Sequence, residues 1–238
     1  ILPAVPIYIS SEINSQVGEY KRANTTAIAA YIGPITDKYV EILANDLVEN
    51  GILAPLRLMR SDGGVATPQA ARENPVTMLL SGLAGGVIAG EAMASELDVD
   101  NLVTFDMGGT STDVALVQNS SPLKRRETRV ADVTVRASSI DVRTCGAGGG
   151  SIAYSPELTK SLRVGPQSAG AVPGPAAYAK GGEEPTVTDA NVALGYLPSS
   201  SKLGGDMVID SNLAKKSVEK IASAMDLKIM DAAEGIYN

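Results

Sequence analysis

The chain has 238 residues, enough for one large domain or two small ones with a buried core. Hydrophobic residues make up 44%, which predicts a globular protein, and the net charge of -7 argues against a general nucleic-acid or anionic-membrane binder. Because the chain has no histidine, Ser–His and Cys–His catalysis and histidine-ligated zinc are excluded within it. The single cysteine, Cys145, cannot form an internal disulfide, so we expect a reducing, cytoplasmic environment.

Both ends of the sequence indicate a piece of a longer polypeptide. The chain begins at Ile1 without methionine, and its last residues, IMDAAEGIYN, read as a helix that is just beginning. No stretch of the given sequence reads as a signal peptide, and no apolar run of about 18 residues or more predicts a membrane span. We therefore expect a fragment without a membrane partner.

The first elements in chain order predict an α/β arrangement. Residues 35–50 follow Gly-Pro and carry an apolar helical stripe, and residues 56–59 are typical of a buried strand. That strand leads into the loop RSDGG at 60–64. Loops after strands gather ligands in α/β proteins, so Gly63 and Gly64 are candidate cofactor-binding residues; a plain turn is the alternative.

A second helical region follows. Residues 67–75 suit a short helix with Thr67 as its cap, and residues 76–80 read as extended. A helix rich in small residues is expected from about Gly85 to Leu97. It leads through a short link into a strand at 102–106.

The stretch LVTFDMGGTSTDVALV, residues 102–117, predicts two strands that pair antiparallel across Gly108-Gly109. Both glycines allow positive φ and let a ligand come close to the main chain, where successive amides form an anion-binding nest. Asp106, at the end of a strand that we expect to be buried, can reach a hydrated Mg²⁺ that screens phosphates. The tip is therefore either a plain tight turn or a phosphate cradle. As a cradle, its candidate residues are Gly108, Gly109, Thr110, Ser111 and Thr112 for the cofactor and Asp106 for the metal.

The second half contains another glycine cluster, CGAGGGS, at 145–151. It is too glycine-dense for a packed element, and it can either line the nucleotide or substrate cleft with backbone amides or form a structural turn. Its candidate cofactor-binding residues are Gly146, Gly148, Gly149, Gly150 and Ser151. Residues 163–185 read as a long ordered loop.

Two helices are predicted near the end of the chain. The first lies within 185–197, with Thr188 or Asp189 as its cap, and the second is the segment 211–225, with Ser211 as its cap. The roles of four other polar residues stay open between ligand contacts and caps, turns or ion pairs: Asp62, Asp141, Arg143 and Asp189.

The hairpin and the helix before it resemble the second lobe of the actin, sugar-kinase and DnaK-type ATPases. Along nearly its whole length the chain resembles the hydantoinase A, 5-oxoprolinase and acetone carboxylase family. The segments that carry this resemblance, in family order, are GEYKRANTTAIAAYIGP (18–34), MRSDGGVAT (59–67), LLSGLAGGV (79–87), FDMGGTSTDVALV (105–117), DVRTCGAGGGSIA (141–153), RVGPQSAGAVPGPAAY (163–178) and PTVTDANVALGYL (185–197).

The resemblance implies an α/β fold, a ribonuclease-H-like lobe of the actin-like ATPases with a mixed sheet and flanking helices. Residues 1–238 would be the central hydantoinase/oxoprolinase domain, with a helix-rich part at 1–100 and a phosphate-hairpin part at 101–238. Asp106 and Asp113 would be the catalytic carboxylates, and ATP with Mg²⁺ or Mn²⁺ the cofactors. A cyclic amide such as a hydantoin or 5-oxoproline would be opened after phosphorylation of its amide oxygen.

The resemblance also implies partners and alternatives. The site would be shared with flanking segments of the same chain, and a hydantoinase B type subunit would join it, so the fragment alone should have no turnover. A ketone substrate, as in an acetone-type carboxylase, is one alternative function. A nucleotide-binding lobe that has lost catalysis is the other. No nucleic acid is expected as a partner.

Overall fold

The computed structural model describes residues 5–130, 132–198 and 200–238. Their contacts divide the chain into two compact units. The first contains the residues up to Thr104 together with Val114–Arg143, and the second contains Phe105–Asp113 and Thr144–Asn238.

The first unit carries a long helix, α2, that runs without a break from Glu19 to Glu49. The predicted start after Gly33-Pro34 is wrong, because the helix continues through Pro34. Gly33 has a packing role: a Cβ at this position would collide with the ring of Tyr8. The other helical elements of this unit are α1 (Ser10–Ile13), α3 (Pro68–Glu73), a 3₁₀ turn (Pro75–Met78) and α4 (Ser81–Glu96).

The segment before α4 confirms one local prediction and overturns another. Thr67 caps α3 as expected, since its side chain accepts a hydrogen bond from the Ala70 amide at 3.2 Å. The prediction of an extended 76–80 is wrong, since Pro75–Met78 form a 3₁₀ turn. α4 then begins at Ser81, four residues before the predicted start.

The predicted buried strand at 56–59 is one arm of a small antiparallel hairpin. β1 (Leu58–Met59) pairs with β2 (Val65–Ala66), and the RSDGG segment forms the turn between them. Two further antiparallel ladders lie in this unit. They join β6 (Lys124–Arg125) to β9 (Ser139–Ile140) and β7 (Thr128–Val130) to β8 (Val133–Val135).

The largest sheet has the strand order β10-β4-β3, with β5 pairing with β4. Its strands are β3 (Leu102–Met107), β4 (Thr112–Gln118), β5 (Ser121–Pro122) and β10 (Val142–Cys145). β3 and β4 are neighbours joined by only four residues, which requires antiparallel pairing. The predicted hairpin is therefore confirmed, together with an α/β fold of mixed helices and strands.

One expectation about β3 is wrong. It lies at the sheet edge in the described residues, and Val103, Phe105 and Met107 expose 59%, 66% and 51% of their surface. An apolar run predicts burial, but the side chains of this strand that point to one face are not covered by any described residue.

The second unit combines two hairpins with a cluster of helices. β11 (Ser151–Tyr154) pairs antiparallel with β12 (Arg163–Ser168), and β13 (Lys202–Leu203) with β14 (Met207–Val208). The helical elements are a 3₁₀ turn (Ala176–Tyr178), α5 (Val187–Leu194), α6 (Ser211–Met225) and α7 (Ile229–Tyr237). The apolar faces of α5, α6 and α7 meet around buried Ala190, Val218 and Ala233.

Candidate functional site

The hairpin between β3 and β4 ends in an exposed tip, residues 108–111. The Gly108 amide donates to the carbonyl of Ser111 at 2.9 Å and closes the turn. Among the described residues, the next three amides, of Gly109, Thr110 and Ser111, donate to no partner. Gly109 and Thr110 are exposed, so the tip presents unused backbone donors on its outer side.

The glycines of the tip do not need the left-handed conformation that the sequence suggested. Neither Gly108 nor Gly109 has positive φ, so that part of the prediction is wrong. A Cβ added at Gly108 would make an ordinary contact of 3.5 Å with the Ser111 carbonyl oxygen, and a Cβ at Gly109 would meet nothing within 4 Å. The fold of the described residues therefore does not itself require glycine at 109.

The two carboxylates of the hairpin have different surroundings. The Asp106 side chain is exposed and has no hydrogen-bond or ion-pair partner among the described residues. Asp113 is half-buried, and its Oδ1 accepts a hydrogen bond from the hydroxyl of Thr144 on β10. Asp106 is thus free to bind a ligand, whereas Asp113 is held by its neighbour.

The second glycine cluster lies directly against the tip. The amide of Gly149 donates to the carbonyl of Gly108 at 3.0 Å, and the amide of Gly150 donates to the carbonyl of Gly109 at 2.6 Å. The amide of Gly148 donates to Ser151 Oγ at 2.9 Å. These three amides, which were candidates for binding a ligand, are already used inside the unit.

The packing explains why these positions are glycines. A Cβ at Gly148 would lie 2.8 Å from backbone atoms of Gly108, Gly109 and Thr110. A Cβ at Gly150 would lie 2.8 Å from the Gly109 carbonyl oxygen, whereas one at Gly146 would come no closer than 3.4 Å to Pro166. Positions 148 and 150 must therefore be glycine for the loop to support the tip at this distance.

Two of the hydroxyl groups that were predicted to bind the cofactor instead make hydrogen bonds within the loop and between the loop and the hairpin. Thr112 and Ser151 are each only 1% exposed. Thr112 Oγ1 donates to the Ala147 carbonyl at 2.5 Å, and Ser151 Oγ accepts from the Gly148 amide. The hydroxyls of Thr110 and Ser111, by contrast, have no partner among the described residues.

Asp189 lies at the start of α5, where the sequence predicted it as a possible helix cap. Its carboxylate is fully buried and accepts hydrogen bonds from the Thr186 hydroxyl and amide, at 2.7 and 3.0 Å, and from the amides of Ala176 and Ala177. Burial raises the pKa of the Asp189 carboxyl, and the four hydrogen bonds act in the opposite direction. Asp189 is a structural residue of a capping box with Thr186 at the start of α5.

The start of α5 also reaches the second glycine cluster. The amide and hydroxyl of Thr188 both donate to the Gly149 carbonyl, at 2.7 and 2.8 Å. Thr188, predicted as a cap, instead holds the loop that supports the tip. Ser211 is likewise not the cap of α6, because Asp210 accepts from the first amides of that helix.

Gly63 and Gly64 lie in the first unit, in the β1–β2 turn. Gly63 has φ +82°, and a Cβ there would lie 2.7 Å from Ile88 Cδ1. The Gly64 amide donates to Asp62 Oδ1 at 3.0 Å, and Asp62 also pairs with Arg60 at 2.9 Å. The turn itself accounts for Gly63, and cofactor binding by either glycine stays a prediction.

The other open residues form ion pairs in the first unit. Asp141 pairs with Arg125 and, at 3.2 Å, with Arg143. In the part of the chain that the structure describes, no group of three or more Asp, Glu and Cys side chains could hold a metal ion. Within the same residues, no helix is long and apolar enough to cross a membrane.

The described residues form a mixed α/β domain with an open, glycine-rich hairpin tip, and comparison with known proteins identifies its family. The Hydantoinase/oxoprolinase family profile matches residues 22–238, and the chain belongs to this family.

Relatives in this family include enzymes with different substrates in their names. The chain is 39% identical over 236 residues to caprolactamase subunit alpha of Pseudomonas jessenii, covering 99% of this chain and 34% of the relative. It is 34% identical over 228 residues to 5-oxoprolinase 1 of Arabidopsis thaliana, covering 93% of this chain and 18% of the relative. The chain thus spans about a third or less of the length of these relatives.

Solved structures agree with the family. Nucleotide-free acetone carboxylase superposes with a TM-score of 0.82 at 28% identity, over 95% of this chain and 32% of that one. ATP-dependent caprolactamase from Pseudomonas jessenii superposes with a TM-score of 0.77 at 39% identity, over 95% of this chain and 33% of that one.

Proposed function

We propose that the chain is the phosphate-binding part of an ATP-dependent enzyme that opens a cyclic amide. The observation that carries the proposal is the open backbone at Gly109. This glycine has ordinary φ, and its missing side chain leaves space that no described residue fills. Glycine at such a position is typical of close approach by a ligand.

The donors around Gly109 fit a phosphate. The unused amides of Gly109, Thr110 and Ser111 form a run of backbone donors, and the free hydroxyls of Thr110 and Ser111 extend it. Gly148, Gly149, Gly150, Thr112 and Ser151 support this run from behind rather than bind the ligand.

The free carboxylate fits a hydrated cation beside that phosphate. Mg²⁺ or Mn²⁺ prefers oxygen ligands, and Mg²⁺ in particular keeps several waters, so one carboxylate together with phosphate oxygens is enough to hold it. Asp106 supplies this carboxylate, and Asp113 is the second catalytic group, which orients a water by accepting its proton in a hydrogen bond. When bound, ATP supplies the phosphoryl group that turns the amide oxygen into a leaving group.

The amide substrate is supported by the relatives. Caprolactamase and 5-oxoprolinase both act on cyclic amides by name, and the caprolactamase is described as ATP-dependent. We place the remaining parts of the site in other segments of a longer protein and in a second, hydantoinase B type subunit. The tip would then belong to a ribonuclease-H-like lobe of an actin-like ATPase. The chain alone should have no amidase turnover.

A ketone carboxylase is the second candidate. Its support is the acetone carboxylase superposition, whose TM-score of 0.82 exceeds the 0.77 of the caprolactamase. The sequence favours the amidase, with 39% identity against 28%.

The test is substrate-stimulated ATP hydrolysis by the complete enzyme with Asp106→Asn. Asparagine keeps the shape but removes the charge, and loss of charge stabilisation in phosphoryl transfer typically lowers the rate about 100-fold or more. Asp206→Asn is the matched control, because Asp206 is also exposed in the second unit and has no partner among the described residues. Lactams, hydantoin, 5-oxoproline and acetone with bicarbonate form the substrate panel.

Since Asp106 has no partner, the variant should keep the melting temperature of the wild type while it loses most ATPase activity. If Asp106→Asn is as active as the Asp206→Asn control, the phosphate-binding interpretation is wrong and the tip is a plain turn. Stimulation by acetone and bicarbonate alone would select the carboxylase.

A further inference from the structure

The contact between Thr144 and Asp113 connects the hairpin to the neighbouring strand. Thr144 lies on β10, which is hydrogen-bonded to β4, and its hydroxyl donates to Asp113 Oδ1. Both residues belong to the second unit, so the contact lies within one compact body.

This hydroxyl is the one polar contact of the Asp113 side chain among the described residues. No lysine or arginine there pairs with Asp113, and its Oδ2 accepts no hydrogen bond. A hydrogen bond to a charged acceptor is short and directional, so it selects one rotamer of the carboxylate. It thereby fixes the direction in which the second oxygen points.

The other carboxylate of the hairpin shows what the contact adds. Asp106 has no partner and is exposed, which suits a group that follows a hydrated cation as it binds. A carboxylate that orients a water molecule must instead be in place before the water arrives, since catalysis depends on groups that are already oriented.

We infer that Thr144 is a positioning residue that holds the Asp113 carboxylate in its working orientation. This rests on the proposed function, in which Asp113 takes part in catalysis. Thr144 contacts neither substrate nor phosphate in this role, and acts only through Asp113.

The variants Thr144→Val and Thr144→Ser separate the hydroxyl from the shape. Valine keeps the branched outline but cannot donate, whereas serine keeps the donor. In the complete enzyme we expect Thr144→Val to lower kcat about 10- to 100-fold, as for a lost hydrogen bond to a charged group. KM for ATP should stay within about twofold, because the free amides of the tip are unchanged, and Thr144→Ser should recover most of kcat. Thr159→Val is the control, since among the described residues the Thr159 hydroxyl contacts only Ser161.

A double-mutant cycle with Asp113→Asn then tests whether the effect passes through Asp113. Single-turnover assays with labelled ATP measure the low residual rate. We expect Thr144→Val to change nothing further in the Asp113→Asn background. An equal further loss in that background would make Thr144 a structural residue and overturn the inference.

The outcomes separate this inference from the proposed function. If Thr144→Val has wild-type kcat while Asp106→Asn and Asp113→Asn are impaired, the positioning role is wrong and the function stands. If both aspartate variants are fully active, the function fails, and the positioning role fails with it.

Discussion

The packing of the second glycine cluster against the hairpin tip predicts opposite outcomes for two glycine-to-alanine changes. A Cβ at Gly148 would lie 2.8 Å from three backbone atoms of the tip, and a Cβ at Gly109 would meet nothing within 4 Å. Real Cβ atoms do not come within 3.0 Å of such atoms, and ordinary contact begins at 3.4 Å, so Gly148→Ala must push the loop and the tip apart by a few tenths of an ångström. This separation would weaken the Gly149–Gly108 hydrogen bond, which is 3.0 Å long.

These displacements set the size of the effect. Overpacking costs about 1–3 kcal/mol, and a lost hydrogen bond adds about 1 kcal/mol. Alanine restricts the unfolded chain, which offsets about 0.4–1 kcal/mol of this. A net loss of about 1–3.6 kcal/mol should lower the melting temperature by roughly 2–14 °C at this chain length. Gly109→Ala should change stability by no more than about 0.5–1 kcal/mol, in the stabilising direction.

Scanning calorimetry of the two variants beside the wild type measures this difference directly. Equal melting temperatures for Gly148→Ala and Gly109→Ala would refute the idea that the cluster supports the tip. In the complete enzyme, Gly109→Ala should bind ATP more weakly than the wild type even though it is stable. Its methyl group fills the space that we assign to a phosphate. A stable Gly109→Ala variant with unchanged ATP affinity would contradict that assignment.

Three further outcomes follow from the same structure. Burial raises the pKa of Asp189 in the folded protein. The stability that its protonated form contributes is therefore full below the unfolded-state pKa and is lost as pH rises through the folded-state pKa. Asp189→Asn should remove this pH dependence from melting temperatures measured over a pH series. Thr67→Ala should lower the free energy of unfolding in urea by about 1 kcal/mol through loss of the α3 cap, and an unchanged midpoint would show that the cap is dispensable. Phe105→Ser should reduce self-association of the 238-residue chain in sedimentation runs while leaving its melting temperature nearly unchanged, because this side chain is 66% exposed.

Local signals in the sequence were sufficient for the hairpin and for the approximate positions of most helices. Two short strands around Gly-Gly predict a hairpin without any knowledge of the rest of the chain. Helix caps were less certain, because neighbouring residues compete for the same role. Thr186 and Asp210 cap the helices for which Thr188 or Asp189 and Ser211 were predicted.

The candidate site needed contacts that no local pattern contains. The tip and its supporting loop are about 40 residues apart in sequence, and their hydrogen bonds depend on the fold. The sequence therefore could not distinguish glycines that bind a ligand from glycines that support the tip. Nor could the apolar run in β3 predict that this strand lies at an edge, because composition alone does not reveal a missing neighbour.

The two glycine clusters differ in what requires them, and this difference is the strongest argument for a ligand at the tip. Gly148 and Gly150 are required by the fold, since any side chain there would overlap the tip. The fold of the described residues does not require glycine at position 109. Glycine there lowers the stability of the folded state, because the unfolded chain has more conformational freedom with glycine than with alanine. A hairpin tip with unused amides would ordinarily be mobile, yet this one is held from behind by two hydrogen bonds. Rigid, unpaired donors are what charge stabilisation in a transition state demands, because they need not reorganise when the charge develops.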